Sequence, residues 1–313
     1  MKNDTITIGT RSSKLALWQA EYVAARLREK YPNRTVELRR MTTKGDKILD
    51  APLAKIGGKG LFTKELENAM LAGEIDIAVH SLKDMPTEVP AGLAIVAITA
   101  REDPGDAVVS PRYRTLANLP KGAKVGTSSL RRRAQILHAR PDLAIHDLRG
   151  NVNTRLAKLE EERFDAIILA VAGLKRLGFG DRITEVLPKA LILPAVGQGA
   201  LAIEARAGDA AVRECVAFLH DAETAACARA ERAFLARVEG GCQVPVGVYA
   251  TRGEAGLHIE AVIASLDGAR LYRSSIEGEA REAERLGREL ADKLLASGGL
   301  AILHELGLLF DRQ

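Results

Sequence analysis

The chain has 313 residues, with 45 Lys+Arg against 41 Asp+Glu, a formal net charge of +4, and is 47% hydrophobic but only 4% aromatic. Single cores stop growing near ~250–300 residues, so two or three compact units are expected, while collagenous and wholly disordered readings are excluded. The longest nearly uncharged apolar stretch, Ala166 to Leu174, is far shorter than the ~18–20 residues of a membrane span, and the first residues lack an apolar signal-peptide core, so a cytoplasmic protein is expected.

TITIG (Thr5–Gly9) reads as a short buried strand. The helix that follows carries apolar residues at helical spacing (Leu15, Leu17, Trp18, Tyr22, Leu27) and stops before Pro32. TVELRRM is a strand, LFTKELENAMLAGE a helix ending near Gly73, and IDIAV (Ile75–Val79) and LAIVAIT (Leu93–Thr99) are apolar strands. Such alternation implies a mostly parallel sheet covered by helices, here over residues 1–100. After the charged segment Arg101–Asp106 the pattern repeats over 105–194: a strand at KVG, a helix at LRRRAQILHAR, a strand at DLAIHDL, a helix from Asn153 to Arg163 and the strand DAIILAV. Each unit also opens with a strand, Gly-Thr, and Ser-Ser starting a helix (ITIGTRSSKL, AKVGTSSLRR), which reads as two related α/β domains. Leu193–Arg206 supplies a second Gly/Pro-punctuated crossing that returns the chain to the first domain over 200–218, giving two domains hinged around a cleft. From 221 to 313 a helix, three antiparallel strands and a C-terminal helix read as a small α+β third domain.

The cations are 30 Arg and only 15 Lys, and Arg is the residue suited to bidentate capture of carboxylates and phosphates. Ligands in open parallel sheets bind beyond the carboxyl ends of the strands. After the predicted strands stand Thr10, Arg11 and Ser13; His80, Ser81, Lys83 and Asp84; Thr127, Ser129, Arg131 and Arg132; Arg149, Asn151 and Arg155; and Lys175 and Arg176. Cations in the first turn of a helix oppose its dipole by ~0.3–1 kcal/mol each, a cost that a bound polyanion reverses. Successive helical residues fan by about 100°, so Arg131, Arg132 and Arg133 cannot all face one ligand, and Arg133 reads as the bystander. The run Thr42–Gly60 lacks periodicity and carries Lys55 and Lys59 among glycines, as a mobile lid with anion-seeking lysines would.

Asp84 is the one acid in this basic set. It either caps the turn before Met85–Pro86 or pairs with Lys83, or else it stabilises a cation or shuttles a proton. Three cysteines form neither a disulfide framework nor a metal-ligand pattern, so no metal is expected. Cys215 and Cys227 read as packing residues on helices, whereas Cys242 in the turn GGCQVP is a candidate nucleophile or attachment point.

The segments GTRSSKLALWQA, GGKGLFTKELE, AVHSLKDMPT, GTSSLRRRAQ, LRGNVNTRL, PAVGQGALAIE and GGCQVPVG resemble the signature segments of the porphobilinogen deaminase (hydroxymethylbilane synthase) family, in the family's order. The resemblance implies two doubly wound α/β domains like those of type II periplasmic-binding proteins, plus a small α+β domain with a three-stranded antiparallel sheet. It also implies a transferase that joins four porphobilinogen molecules head to tail, with loss of ammonia, into hydroxymethylbilane for haem and porphyrin biosynthesis. The primer is a dipyrromethane cofactor, held by a thioether to Cys242. By motif, Ser81, Lys83, Thr127, Ser129, Arg131, Arg132 and Arg155 hold mostly cofactor carboxylates, and Arg11, Ser13, Arg149 and Arg176 mostly the incoming ring. Asp84 then stabilises the azafulvene-type cation left by ammonia, and a monomer is expected. Two rivals remain from the residues alone. A small-anion-binding module needs the arginines but neither Asp84 nor a loop thiol, and a nucleic-acid binder fits poorly with so few aromatics and so low a net charge.

Overall fold

The computed structural model describes residues 4–43, 45, 60–238, 244–254 and 256–307. The chain forms two compact units, Met1–Glu102 with Ala200–Ala225, and Asp103–Gly199 with Ala226–Gln313.

In the first unit, β1 (Thr5–Arg11), β2 (Thr35–Met41), β3 (Ile77–Ser81), β4 (Leu93–Ile98) and β10 (Leu201–Arg206, numbered in chain order) form a sheet of order β2-β1-β3-β10-β4. β1 runs parallel to β2 and β3, while β10 runs antiparallel to both β3 and β4. In the second unit β5 (Asp106–Val109), β6 (Lys124–Gly126), β7 (Ala144–His146), β8 (Ala166–Ala170) and β9 (Glu185–Val186) take the order β7-β6-β8-β5-β9. The pairing is the same: β6 is parallel to β7 and β8, and β5 is antiparallel to β8 and β9. In both sheets the antiparallel fourth place belongs to the strand that follows a crossing, β5 after the first and β10 after the second. The two α/β sheets therefore share one topology, as the repeated sequence pattern implies, and each borrows its fourth strand from beyond a crossing.

The repeated Gly-Thr…Ser segment does the same work twice. Ser13 caps α1 (Lys14–Lys30) by accepting from the Ala16 N–H at 3.3 Å, and Ser129 caps α3 (Leu130–Ala139) by accepting from the Arg132 N–H at 3.4 Å. A Cβ on Gly9 would stand 2.3 Å from Ile75 Cδ1, and one on Gly126 3.0 Å from Leu148 Cδ2. At Gly9 a side chain would overlap the fully buried Ile75, whereas at Gly126 the neighbouring side chains would have to give by a few tenths of an ångström. The face of α1 that packs on the sheet is Ala16, Gln19, Ala20, Val23, Ala24 and Leu27, so of the apolar residues expected at helical spacing only Leu27 lies fully on it. Trp18 and Tyr22 stay exposed and stack on each other, with ring centroids 5.5 Å apart. On the same unit α6 (Ala210–Val216) joins α1 on a core built on Ile6, Ile8, Val23, Leu27, Ile77 and Ile203, while α2 (Lys64–Leu71) packs in a second cluster with Ile75 and Ala78.

The second unit adds α4 (Val152–Glu161) and α5 (Val171–Arg176) around its sheet. It also holds a three-stranded antiparallel sheet of β11 (Val246–Gly253), β12 (Gly256–Ala264) and β13 (Leu271–Gly278). That sheet buries Val248, Ile259 and Ile263 against Phe234 of α7 (Ala222–Arg237) and against Leu286 and Leu290 of α8 (Ala283–Leu294), with α9 (Leu300–Glu305) closing the core through Ile302 and Leu303. Arg273 of β13 donates to the Lys189 and Ala190 carbonyls at 2.7 and 2.6 Å, tying the two sheets of the second unit together. Among the described residues no helix is long and apolar enough to cross a membrane.

Candidate active site

In the first unit, the ends of β1 and β3 bring Arg11, Ser13, Ser81 and Asp84 to one pocket, with Gln19, Phe62 and His80 also lining it. Asp84 ends a single 3-10 turn, Leu82–Asp84. The turn is a firm mount: Leu82 and Met85 are buried, the Leu82 N–H donates to the Ala200 carbonyl at 3.0 Å, and the Met85 N–H donates to the Leu82 carbonyl at 3.2 Å. Between these anchors Asp84 itself is exposed, so its carboxylate is presented rather than packed. Gln19 Nε2 donates to Ser81 Oγ at 2.7 Å, which orients that hydroxyl. The Arg11 guanidinium lies 4.2 Å from the centroid of the Phe62 ring. Lys83 is half-buried on the same turn and does not line this pocket.

Below the pocket floor His80 Nε2 meets Glu204 Oε2 at 3.0 Å, and Glu67 of α2 is buried nearby. Burial pushes the Glu67 carboxyl up, and the neighbouring Glu204 adds to the rise. Glu67 Oε1 and Glu204 Oε1 have no hydrogen-bond partner among the described residues.

The second unit carries the other described site residues, with Thr127, Ser129, Arg131 and Arg132 at the N-terminus of α3. Thr127 is buried, and its hydroxyl accepts from the Ser129 N–H at 3.2 Å. Arg131 and Arg132 are each only 5% exposed and converge on Asp106 at the start of β5. Arg131 Nη1 lies 2.6 Å from Asp106 Oδ2, and Arg132 Nη2 lies 2.7 Å from Oδ1. Arg131 also donates to the Leu193 carbonyl at 2.7 Å and Arg132 to the Ile168 carbonyl at 3.0 Å. Burial pushes the Asp106 carboxyl up, but the two guanidiniums outweigh it and hold the group far below the usual carboxylate range. Arg133 is exposed. Arg149 and Arg155 are half-buried, and Arg155 Nε donates to the Gly150 carbonyl at 2.8 Å. Arg176 Nη2 donates to the Gly199 carbonyl at 2.6 Å. The predicted attachment residue Cys242 and the predicted lid residues Lys55 and Lys59 lie outside the described residues.

The donor set in the second unit fits a polycarboxylate. Two buried guanidiniums face one carboxylate, so the cluster keeps one unit of positive charge. Among the described residues, six of the ten N–H groups on the pair are spent on Asp106 and two carbonyls, and four have no acceptor there. A buried charge excess is costly unless an anion completes it.

Residues 6–214 match the family described as porphobilinogen deaminase, dipyromethane cofactor binding domain, and residues 225–296 match the porphobilinogen deaminase C-terminal domain. The chain belongs to the porphobilinogen deaminase family. It is 57% identical over 305 residues to the porphobilinogen deaminase of Geobacter sulfurreducens, covering 97% of this chain and 96% of that one. The corresponding protein of Pelobacter propionicus is 55% identical over 300 residues, 96% of each chain. That of Syntrophotalea carbinolica is 53% identical over 308 residues, 98% of each. Among solved structures, a putative methionine-binding lipoprotein of Bacillus subtilis is similar at 14% identity and a TM-score of 0.44, over 71% of this chain and 92% of that one. The periplasmic aliphatic sulphonate binding protein SsuA of Escherichia coli is similar at 16% identity and a TM-score of 0.40, over 75% and 70%.

Gln19, Phe62 and His80 line the pocket but carry no family role in the sequence reading. Gln19 left one signal: it is a polar residue on the buried stripe of α1, where its amide needs a partner. Asp106 left none, because it stands in a segment that reads as a charged linker and meets Arg131 only across 25 residues. Cys215 and Cys227 are buried on helices, as packing residues are. Arg34 Nη1 donates to Cys215 Sγ at 3.2 Å, and burial pushes that thiol up, away from the thiolate.

Proposed function

We propose that this hydroxymethylbilane synthase works with Asp84 as its reacting carboxylate, with Arg11 and Ser13 seating the incoming porphobilinogen in the first unit. By motif, Arg149 and Arg176 are assigned to the same substrate. The observation that carries the reading is one exposed carboxylate on a rigid turn, in a pocket whose other polar lining is the Arg11 guanidinium, the Ser13, Thr63 and Ser81 hydroxyls, the Gln19 amide and the His80 ring. A carboxylate there weakens the hold on an acidic ligand, so its place must be earned by chemistry on a cation. Porphobilinogen supplies that cation when ammonia leaves. Asp84 accepts a hydrogen bond from the pyrrole N–H, balances the developing positive charge, and passes on the proton displaced when the next carbon–carbon bond forms. Each ring brings an acetate and a propionate, so every addition raises the negative charge the arginines must hold. Charge-assisted hydrogen bonds contribute ~1.5–3 kcal/mol each, so a few suffice to orient a small diacid.

Ser81, Lys83, Thr127, Ser129, Arg131, Arg132 and Arg155 would hold the dipyrromethane primer, with Cys242 as its point of attachment. When bound, the primer supplies the terminal pyrrole carbon to which new units are added. Support comes from the single excess positive charge and the four remaining N–H groups of the Arg131–Arg132 pair. The test is to mix the purified chain with porphobilinogen and follow substrate, ammonia and linear tetrapyrrole together. One ammonia per porphobilinogen consumed, with a protein that gives a pyrrole colour with Ehrlich's aldehyde reagent, is expected. Porphobilinogen bound and returned unchanged would mark a small-anion-binding module instead.

A further inference from the structure

Two stretches of the second unit, 103–106 at the start of β5 and 193–199 before β10, are bridged by Arg131, which bonds both Asp106 and the Leu193 carbonyl, and by Gln198. Gln198 is 1% exposed, and its Nε2 donates to the Pro104 carbonyl at 2.7 Å, the Gly105 carbonyl at 3.3 Å and Asp106 Oδ1 at 3.0 Å. Its neighbours Gly197 (φ 69°) and Gly199 (φ 96°) both take left-handed backbone conformations that favour glycine. The Gly197 N–H donates to Glu231 Oε2 at 2.7 Å, while Glu231 Oε1 takes the Ala250 N–H at 2.9 Å. The Gly199 carbonyl is held by Arg176. Gln198 is thus fixed from both sides and aimed inward at an oxygen that already accepts from both guanidiniums.

The amide at this position has a specific chemical consequence. A carboxylate of the same shape would cancel the one positive charge that the Arg131–Arg132–Asp106 cluster retains and would repel Asp106. A neutral donor saturates Asp106 Oδ1 and leaves the charge in place. We propose that Gln198 is a positioning residue for primer loading: its amide locks Asp106, which aims Arg131 and Arg132, while its neutrality preserves the charge that receives the primer carboxylates. The inference rests on the primer-holding role given above to Arg131 and Arg132.

The experiment uses two substitutions in the full chain, Gln198→Glu and Gln198→Met, and reads the covalent primer by intact mass as purified and after incubation of primer-free chain with porphobilinogen. Glu is the closer isostere, so a packing role alone makes Gln198→Met the worse variant. The proposal predicts the opposite order. Loading falls by about tenfold or more in Gln198→Glu, equivalent to about 1.4 kcal/mol, and by less in Gln198→Met. Full loading of Gln198→Glu, or of Gln198→Met should the first variant fail to fold, overturns the proposal, as does a larger loss in Gln198→Met than in Gln198→Glu. A wild-type chain that carries no added mass overturns the primer reading itself, whereas loaded wild type and equally loaded variants overturn only the role of Gln198.

Discussion

Asp106→Asn is the substitution whose cost the structure defines most closely. The carboxylate is 1% exposed and accepts four N–H bonds from two guanidiniums and a fifth from Gln198. Asparagine keeps one acceptor oxygen but turns the other position into a donor facing guanidinium N–H groups, and leaves both buried cations without a counter-charge. The five bonds share one desolvated group, so their separate values do not add. Loss of one partner of a buried ion pair costs about 3–5 kcal/mol, and at ~2–4 °C per kcal/mol for large domains the thermal midpoint should fall by roughly 6–20 °C. Scanning calorimetry of wild type and variant across pH 3–8 is the assay. The Asp106 carboxyl lies well below its unfolded value of about 3.9, so its stabilising contribution is present above that value and lost only as pH falls towards the folded one. The gap between the proteins should therefore be constant from about pH 5 to 8 and close only in stronger acid. A fall of less than about 3 °C, or a gap that widens towards acid, would refute the reasoning.

Further outcomes follow from other residues. Cys242→Ala should yield a chain without primer mass, and an unchanged adduct would move the attachment to another residue. Arg149→Lys keeps the charge but loses the planar fork, so kcat/KM for porphobilinogen should fall by about 10- to 100-fold, and unaltered kinetics would remove Arg149 from the substrate contacts. Glu67→Gln should stabilise the protein near pH 8 by roughly 0.5–2 kcal/mol. Burial raises the Glu67 carboxyl, so its ionisation costs stability as pH rises above about 4.3, and the gain should vanish below that pH. A denaturant series showing equal gain at pH 4 and pH 8 would contradict this.

The architecture was legible where local chemistry determines it. The Gly-Thr…Ser segments announced the two capped helices, because a serine cap and a tight glycine act within a few residues. The fourth strand of each α/β sheet was not legible. Asp106–Val109 and Leu201–Arg206 owe their places to partners far along the chain, and although the second crossing implies that 200–218 returns to the first domain, nothing in a short apolar run says which strands it will pair with or in which direction. On α1 the large apolar residues suggest one face, but Ala16, Ala20 and Ala24 allow the closer approach to the sheet and leave Trp18 and Tyr22 outside. At the site, Arg11, Ser13, Ser81 and Asp84 were all legible as residues following strand ends, and the fold gathers these four in one pocket. The pairing of Arg131 and Arg132 with Asp106 was hidden, since an acid in a loop gives no sign of the cation it will meet.

The central claim is that Asp84 carries the chemistry of chain growth on a primer held by the arginines. Its most direct test is intact-mass measurement of primer-loaded wild type and Asp84→Asn after brief exposure to porphobilinogen. Wild type should show a ladder of successive one-ring additions, and Asp84→Asn the same primer mass with no added rungs, since loss of one electrostatic stabiliser slows such a step by about 100- to 1,000-fold. A ladder of similar height and rate on Asp84→Asn would contradict it.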